Sequence, residues 1–276
     1  LGSDTKGSKT IAIGVDALSA QNFTTSTDSF NVAVGHNAGV AVTTGTKNVL
    51  IGGLAGDALT NSEQNVAVGY GALSSDTLGI NSTAIGNNAL ENQNFTTAAD
   101  SFNVAVGVNA GNAVTTGVNN TLLGALAGDA LTDADHNTAV GRGSLGADTL
   151  GSRAVAVGFG ALSSQNFTTA TDNYNIAVGF NAGVSVSTGT AVTTGIYNTL
   201  IGGLAGDALT TGNNNVAIGL NALTNDTKGD QSVAIGNDAL NAQNFTTNTD
   251  AFNVAVGKSA GGAVTTGIQN TIIGAL

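Results

Sequence analysis

The stretch Asn65-Val66-Ala67-Val68-Gly69-Tyr70-Gly71-Ala72 decides the fold, because variants of it recur along the whole chain. Its first glycine can be aligned in fifteen units of the 276 residues. A short motif repeated at a fixed period is typical of a solenoid, in which one unit is stacked on the next. The aligned residues, called column glycines below, are Gly14, Gly35, Gly52, Gly69, Gly86, Gly107, Gly124, Gly141, Gly158, Gly179, Gly202, Gly219, Gly236, Gly257 and Gly274.

The spacing of the column glycines defines the coil. Most steps span seventeen positions, as from Gly52 to Gly69, and four span twenty-one, so one long coil and three short ones form a 72-residue superperiod. One step is longer still, and it is explained by a six-residue duplication at 185–190, which precedes a similar segment at 191–195. The sequence therefore predicts an all-β, parallel β-solenoid of about fifteen coils over residues 1–276.

Residues just before each column glycine alternate as in a short strand. The positions one and three before it, the flanking positions, hold Val, Ile, Leu or Thr. Since they share one face of a strand, we predict that they form the coil interior. The position between them, the middle position, is Ala in eleven units and Leu or Ile in four, namely Leu50, Leu122, Leu200 and Ile272. A strand that is apolar on both faces needs a packing partner for its second face as well. Another copy of the chain is the simplest such partner.

Two further columns have a structural interpretation. Asn stands four residues before the column glycine in eleven of the fifteen units. Stacked Asn side chains can hydrogen-bond along the axis, and Asn tolerates the left-handed backbone of a turn. Four residues after the column glycine, Leu and Gly alternate, as in Leu18 and Gly39. We expect the small residue to let a turn pack closely against its neighbours.

Composition excludes several classes of protein. The chain carries 18 acidic and 7 basic residues, a net charge of −11, which argues against binding nucleic acid. Periodic apolar residues argue against disorder, and no apolar stretch approaches the roughly 18 residues of a membrane span. Cysteine is absent, so neither disulfides nor thiol chemistry are available. The chain begins without Met and stops inside a motif, so we interpret it as one continuous repeat region, 1–276, truncated at one or both ends.

The pattern Asn-x-Ala-Val-Gly-x-x-Ala, seen at 65–72 and in related form at 82–89, resembles the head repeats of YadA-like trimeric autotransporter adhesins. It is also similar to the repeats of phage-type tail fibres. The resemblance covers essentially the whole chain. It implies a left-handed β-roll that assembles as a homotrimer and serves attachment outside a cell or on a virion. Both the short and the long coils exceed the length that is usual in the adhesin heads, which favours tail-fibre or other extracellular fibre proteins.

The long coils contain the strongest candidate for ligand contact, a Gln-Asn-Phe-Thr-Thr segment. Each segment is followed by an acid and an aromatic residue, the first pair being Asp28 and Phe30. Aromatic side chains that protrude from these segments would bind glycans or a partner fibre. We favour the alternative that each Phe folds back onto the loop or the oligomer interface. The candidate contact residues are Phe23, Thr24, Thr25, Phe95, Thr96, Thr97, Phe167, Thr168, Thr169, Phe245, Thr246 and Thr247.

Other chemistry is poorly supported by the sequence. Asp57, Asp129 and Asp207 recur, but calcium-binding repeats need a greater density of Gly and Asp, so we interpret these acids as turn caps. His36 and His136 lack the partners of a catalytic site. Flat Thr arrays order ice, but the Thr-Thr-Gly steps recur only once per superperiod. These steps begin at Thr43, Thr115, Thr193 and Thr265, with Thr44, Thr116, Thr194 and Thr266 as their second residues.

The sequence therefore predicts a non-enzymatic fibre segment, an adhesin head or a tail-fibre shaft. We expect no catalytic, cofactor or metal site, no nucleic acid partner and no membrane insertion by this segment. The predicted partners are further copies of the chain in a homotrimer and a glycan or protein on a host-cell surface. The predicted location is extracellular, on a cell surface or on a virion. A purely structural self-assembling filament and an ice-binding solenoid are the alternatives.

Overall fold

In a computed structural model the chain is an all-β, parallel solenoid of about fifteen turns. The structure describes residue 2 and residues 4–186 and 195–276. Most of the duplication predicted at 185–190, together with Thr193 and Thr194, lies outside these described residues. The chain divides into two compact units, Leu1–Asp135 and His136–Leu276. The described residues contain no helix that could span a membrane.

The first unit is built from three-residue strands that pair in parallel, each preceding a column glycine. Their bounds are Ile11–Ile13, Val32–Val34, Val49–Ile51, Val66–Val68, Thr83–Ile85, Val104–Val106 and Thr121–Leu123. Two pairs of two-residue strands accompany the long coils: Gly7–Ser8 with Thr27–Asp28, and Gly79–Ile80 with Ala99–Asp100. Equivalent positions pair throughout, as in Val66 with Thr83 and Ala67 with Ala84.

The second unit repeats this arrangement. Its three-residue strands are Thr138–Val140, Val155–Val157, Ile176–Val178, Thr199–Ile201, Val216–Ile218, Val233–Ile235, Val254–Val256 and Thr271–Ile273. Its two-residue strands are Gly151–Ser152 with Thr171–Asp172, and Gly229–Asp230 with Thr249–Asp250. The in-register parallel pairing confirms the stacked coil that the period predicts.

The face that lies inside each coil is the opposite of the predicted one. At the middle position Ala67 is fully buried, whereas the flanking Val66 and Val68 are partly exposed. Leu50 is likewise fully buried, and its neighbour Ile51 is 39% exposed. Alternation along a strand separates the two faces but does not say which one is enclosed. The interior is therefore the narrow column of Ala and Leu, and the Val and Ile columns lie on the outer surface.

The column glycines set the distance between coils. A Cβ built on Gly69 would lie 2.4 Å from the carbonyl oxygen of Gly86, its equivalent in the next coil. The φ angle of Gly69 is +135°, a conformation that residues with a side chain rarely adopt. Both the backbone angle and the close approach of the next coil require glycine at this position.

The alternation of Leu and Gly after the column glycine is matched by the middle position. A Cβ on Gly56 would lie 2.8 Å from Leu50 Cδ2, and one on Gly39 would lie 2.6 Å from Leu50 Cδ1. The side chain of Leu50 therefore occupies the space that Gly39 and Gly56 leave. In the coil of Ala67, whose middle residue is small, the later position is instead Leu73, which is fully buried. The predicted close packing at this position is confirmed. Its cause is that the side chains of the middle position and of the position four after the column glycine fill the same space.

The Asn column forms the predicted hydrogen-bond ladder. Asn31 Oδ1 accepts a bond of 2.9 Å from the backbone N–H of Asn48, and Asn48 Oδ1 accepts one of 3.0 Å from Asn65. The Nδ2 group of Asn48 donates to the carbonyl of Ser62 at 2.8 Å. The left-handed residue of the turn, however, is the one before the Asn, as shown by the φ of +62° at Lys47. The buried Asn thus satisfies the backbone groups of neighbouring coils.

Candidate interaction surface

The Phe of each candidate loop points into its own coil. Phe23, Phe95 and Phe245 are 5%, 7% and 5% exposed, and Phe167 is fully buried. The ring of Phe95 packs against Gly79, whose added Cβ would lie 2.9 Å from Phe95 Cδ2. This is the folded-back arrangement, so these four rings are not available to a ligand. The candidate contacts that remain on the surface are the loop threonines, Thr24, Thr25, Thr96, Thr97, Thr168, Thr169, Thr246 and Thr247.

A carboxylate, buried in three of the four cases, holds each of these loops in place. Asp76 Oδ1 accepts hydrogen bonds from the backbone N–H groups of Gly79, at 3.0 Å, and Phe95, at 3.1 Å. Asp76 Oδ2 accepts one of 2.7 Å from Gln93 Nε2. Gln93 Oε1 in turn accepts a bond of 2.9 Å from Nδ2 of Asn103, a member of the Asn ladder. The loop is therefore tied to the core of the coil through a continuous polar chain.

The same cluster recurs in all four long coils. Gln21, Gln165 and Gln243 donate to Asp4, Asp148 and Asp226 at 2.7, 2.6 and 2.6 Å. Burial raises the pKa of the Asp76 and Asp148 carboxyls above the ordinary value, against the opposing effect of their hydrogen bonds. At Asp4 the effect of burial is outweighed by hydrogen bonds from Gln21 and the Gly7 amide, so that the pKa of this carboxyl is lowered.

The acid and aromatic residues that follow each loop lie on the surface. Asp28 and Phe30 are exposed on either side of the buried Ser29, and Phe30 is 49% exposed. Asp28 forms an ion pair of 2.7 Å with Lys9 of the preceding coil, whose ammonium also lies 5.0 Å from the centre of the Phe30 ring. The hydrogen bond from Lys9 and that from Ser8 lower the pKa of the Asp28 carboxyl. The equivalent exposed aromatics are Phe102, Tyr174 and Phe252.

Aromatic residues also stack along the outer surface of the second unit. Tyr174 and Tyr197 stack with ring centres 5.6 Å apart, and the Arg153 guanidinium lies 5.7 Å from the Tyr174 ring. Another column has the same arrangement in Phe159 and Phe180, which also lie 5.6 Å apart. These stacks follow from the in-register pairing, which places equivalent residues one strand spacing apart. They were not predicted, although aromatics at the same position of consecutive coils are a signal that the sequence carries.

We use the term outer face for the two flanking positions, the residue five before the column glycine and the residue after it. Its aliphatic members are substantially exposed, including Ile51 at 39%, Ile176 at 38% and Ile201 at 37%. Aromatic members are about half exposed, such as Tyr70 at 58% and Phe180 at 56%. The flanking positions therefore form a mostly apolar row that repeats from coil to coil, beside two positions that hold both aromatic and polar residues.

The side chains of the recurrent acids predicted as turn caps differ from one another in their contacts. Asp207 Oδ1 accepts a hydrogen bond of 2.6 Å from Thr224 Oγ1 in the following coil, so it links coils. Asp57 Oδ1 is buried without a hydrogen-bond partner in the described structure. Burial raises the pKa of the Asp57 carboxyl and that of Asp129. Both histidines are exposed, and the described residues hold no cluster of three metal-ligating side chains.

No protein-family model matches this chain, and no curated protein matches it either. The resemblance to adhesin heads and tail fibres therefore rests on the repeat motif itself.

Proposed function

We propose that this chain is a non-enzymatic segment of an extracellular or virion-associated fibre, with an adhesive or structural role, and that copies of it associate through the outer face. The observation that carries the proposal is the row of partly exposed Val and Ile side chains, in which Ile51 and Ile201, for example, are 39% and 37% exposed. Water contact with such a row is unfavourable by roughly 25 cal/mol per Å² of apolar surface. A surface of this kind, repeated on every coil, favours a permanent partner.

A second copy of the chain is the partner that fits this surface best. Equivalent residues recur at one strand spacing, so a parallel copy presents apolar side chains at the same intervals. The flanking positions of the outer face carry no charge, whereas its other two positions hold five of the seven basic residues, of which Lys9 and Arg153 are paired with acids. The homotrimer implied by the resemblance to adhesin heads is the assembly we propose. A trimer would bury the outer face around a common axis and leave the long-coil loops at the periphery.

The size of the assembly tests this proposal directly. Light scattering of the purified chain at micromolar concentration should give the mass of a trimer. A double variant, Val66→Asp with Val68→Asp, should reduce that mass to the monomer while circular dichroism retains the β signal, because both side chains point away from the core. Asn61→Asp is the matched control, since it adds charge at an exposed site outside the outer face. A wild-type chain that is monomeric at this concentration would refute the proposal of self-association.

The adhesive role is tested separately at the loop threonines. We propose that these exposed side chains, together with the neighbouring acids such as Asp28, contact a glycan or protein on a host surface. The variant in which Thr25, Thr97, Thr169 and Thr247 are all changed to Ala should bind host cells more weakly than the wild type at equal trimer content. Unchanged binding would assign the segment a purely structural role as a spacer or filament.

The ice-binding alternative receives less support. Thr43 Oγ1 and Thr44 Oγ1 both donate to Asn61 Oδ1, at 2.7 and 2.8 Å, and Thr116 Oγ1 donates to Asp133 Oδ1 at 2.6 Å. These hydroxyls are committed to bonds within the protein. Regular arrays of hydroxyls that face water are what ordering of ice would need.

A further inference from the structure

The four candidate loops also share a sequence motif whose significance does not depend on ligand contact. Each contains an Asn-Phe-Thr triplet, at 22–24, 94–96, 166–168 and 244–246. The pattern Asn-x-Thr, where x is not Pro, is the acceptor pattern for N-linked glycosylation. We propose that Asn22, Asn94, Asn166 and Asn244 are acceptor sites for a sugar attached through the side-chain amide nitrogen.

Local structure places the reacting groups on the surface and the residue between them in the core. Asn94 and Thr96 are exposed, whereas Phe95 between them is buried and its backbone N–H is bonded to Asp76. The anchored Phe therefore presents the amide and the hydroxyl on the same side of the loop. The other three loops repeat this alternation, with Asn166 partly exposed.

Three of the four amide groups are held by a hydrogen bond to the amide oxygen. Asn94 Oδ1 accepts a hydrogen bond of 3.1 Å from Thr77 Oγ1 of the preceding coil, and Asn166 Oδ1 accepts one of 3.1 Å from Thr149 Oγ1. Asn244 Oδ1 accepts the equivalent bond of 3.2 Å from Thr227 Oγ1. In these three loops the amide oxygen faces the preceding coil, and the same Thr hydroxyl also contacts the carbonyl oxygen of the loop Phe, at 2.8, 2.9 and 2.7 Å, so its single proton is shared between two acceptors. Among the described residues, Nδ2 of these four side chains donates no hydrogen bond.

Other Asn-x-Thr triplets in the chain differ from the four loops in this geometry. Asn81 Nδ2 donates to Asp100 Oδ1 at 2.7 Å, and its triplet ends inside a three-residue strand. Asn225 Nδ2 donates to the carbonyl of Asn241 at 2.6 Å, and the hydroxyl of its triplet, that of Thr227, is the group that contacts both Asn244 Oδ1 and the Phe245 carbonyl. A further triplet, at 119–121, likewise ends inside a strand. The triplets of Asn81 and Asn225, whose amides are engaged within the folded chain, are internal controls for the four loops.

The substrate class is a sugar activated through its anomeric carbon as a phosphate ester, carried on a nucleotide or a lipid. In the transfer, Asn Nδ2 forms a bond to the anomeric carbon and the bond from that carbon to the phosphate oxygen breaks. The phosphate group leaves with the electron pair, and one amide proton passes to a base of the transferase. No atom is oxidised or reduced.

The experiment uses the folded 276-residue chain, a soluble N-glycosyltransferase that recognises Asn-x-Thr, and a nucleotide-activated hexose. Peptide mass spectrometry should find one hexose on each of the four loop asparagines. Modification of Asn81 and Asn225 should be at least about tenfold slower, because it requires local opening of the fold. Synthetic peptides containing the same triplets should be modified at similar rates, which would assign the difference to the fold.

Two single variants sharpen the assignment. Thr96→Ala removes the hydroxyl of one triplet and should abolish hexose on Asn94 alone, whereas Thr97→Ala, at the next residue, should leave it unchanged. Modification of Asn81 or Asn225 in the folded chain as fast as Asn94 would overturn the proposal. So would loop asparagines in the folded chain that react at less than about a tenth of the rate of their own peptides.

Discussion

Gln165 Nε2 donates a hydrogen bond of 2.6 Å to Asp148 Oδ2, and both side chains are fully buried. Asp148 Oδ1 accepts two more bonds, from the backbone N–H groups of Gly151 and Phe167 at 3.0 and 2.9 Å. Removing the carboxylate leaves three buried donors without partners. We therefore expect Asp148→Ala to lower the free energy of unfolding by about 3 kcal/mol or more, since each of the three unsatisfied donors costs about 1–3 kcal/mol. Urea unfolding followed by circular dichroism measures the change.

Asp16→Asn is the control for changes of this kind, because Asp16 is exposed. Its effect on the free energy of unfolding should stay within about 0.5 kcal/mol. A loss at Asp148 no larger than that of the control would show that the buried cluster does not stabilise the coil.

The pH dependence of stability should reveal the charge on Asp148. Burial raises the pKa of its carboxyl above the ordinary value, so the folded chain binds this proton more tightly than the unfolded chain. The stability contributed by the group is complete below the ordinary pKa and is lost as the pH rises through the raised pKa. Asp148→Asn does not titrate, so its destabilisation relative to wild type should be larger in mild acid than at neutral pH. A difference that shrinks on acidification would contradict the raised pKa.

The column glycines should tolerate no side chain. In Gly158→Ala the new Cβ would lie 2.3 Å from the carbonyl oxygen of Gly179, and we expect a loss of about 3 kcal/mol or more in the free energy of unfolding. Gly143→Ala is a matched control, because its φ is also positive, at +64°, but no atom lies within 4 Å of the added Cβ. That variant should lose only about 1–2 kcal/mol, from backbone strain. Equal losses in thermal or urea unfolding would argue against close coil contact as the cause.

The Leu and Gly columns should show energetic coupling. Leu50→Ala leaves a cavity and should cost about 3 kcal/mol, and Gly56→Ala should cost a similar amount, because its Cβ would meet both Leu50 and Leu59. The double variant should lose less than the sum of the two by about 1 kcal/mol, since the new methyl group enters the cavity. Strict additivity in a double-mutant cycle would show that the two columns do not share one space.

Sequence alone was sufficient to predict the stacked coil, its length and the Asn ladder, because a strict period leaves few other folds. It did not identify the interior face, since a strand such as Val66–Val68 is apolar on both sides. A signal was present: flanking positions accept Thr, as at Thr83 and Thr138, and the middle position never does. A polar hydroxyl is tolerated on the outside of a coil and is costly in its dry interior.

The buried Asp and Gln clusters were also missed. Their acids stand in short coils, and each bonds to a Gln in the following coil, as Asp76 does with Gln93. The recurring Asp-x-x-Gly before each long coil was the available signal, at Asp4, Asp76, Asp148 and Asp226. Acids are expected on the surface by default, because a buried carboxylate needs donors that only the folded chain supplies.

The contact between Gly69 and Gly86, repeated between neighbouring coils, limits which duplications and deletions the gene can tolerate. Each coil meets its neighbours through the same backbone atoms, so a recombination event that copies or deletes a whole number of coils creates no new type of junction. An event that copies a fraction of a coil must fit its extra residues between column glycines that stay in line, as in the step from Gly179 to Gly202, where an added Cβ on Gly179 would still lie 2.5 Å from the Gly202 carbonyl oxygen. Descendants of this sequence should therefore differ in the number of coils, and so in the length of the solenoid, far more readily than in the width of a coil.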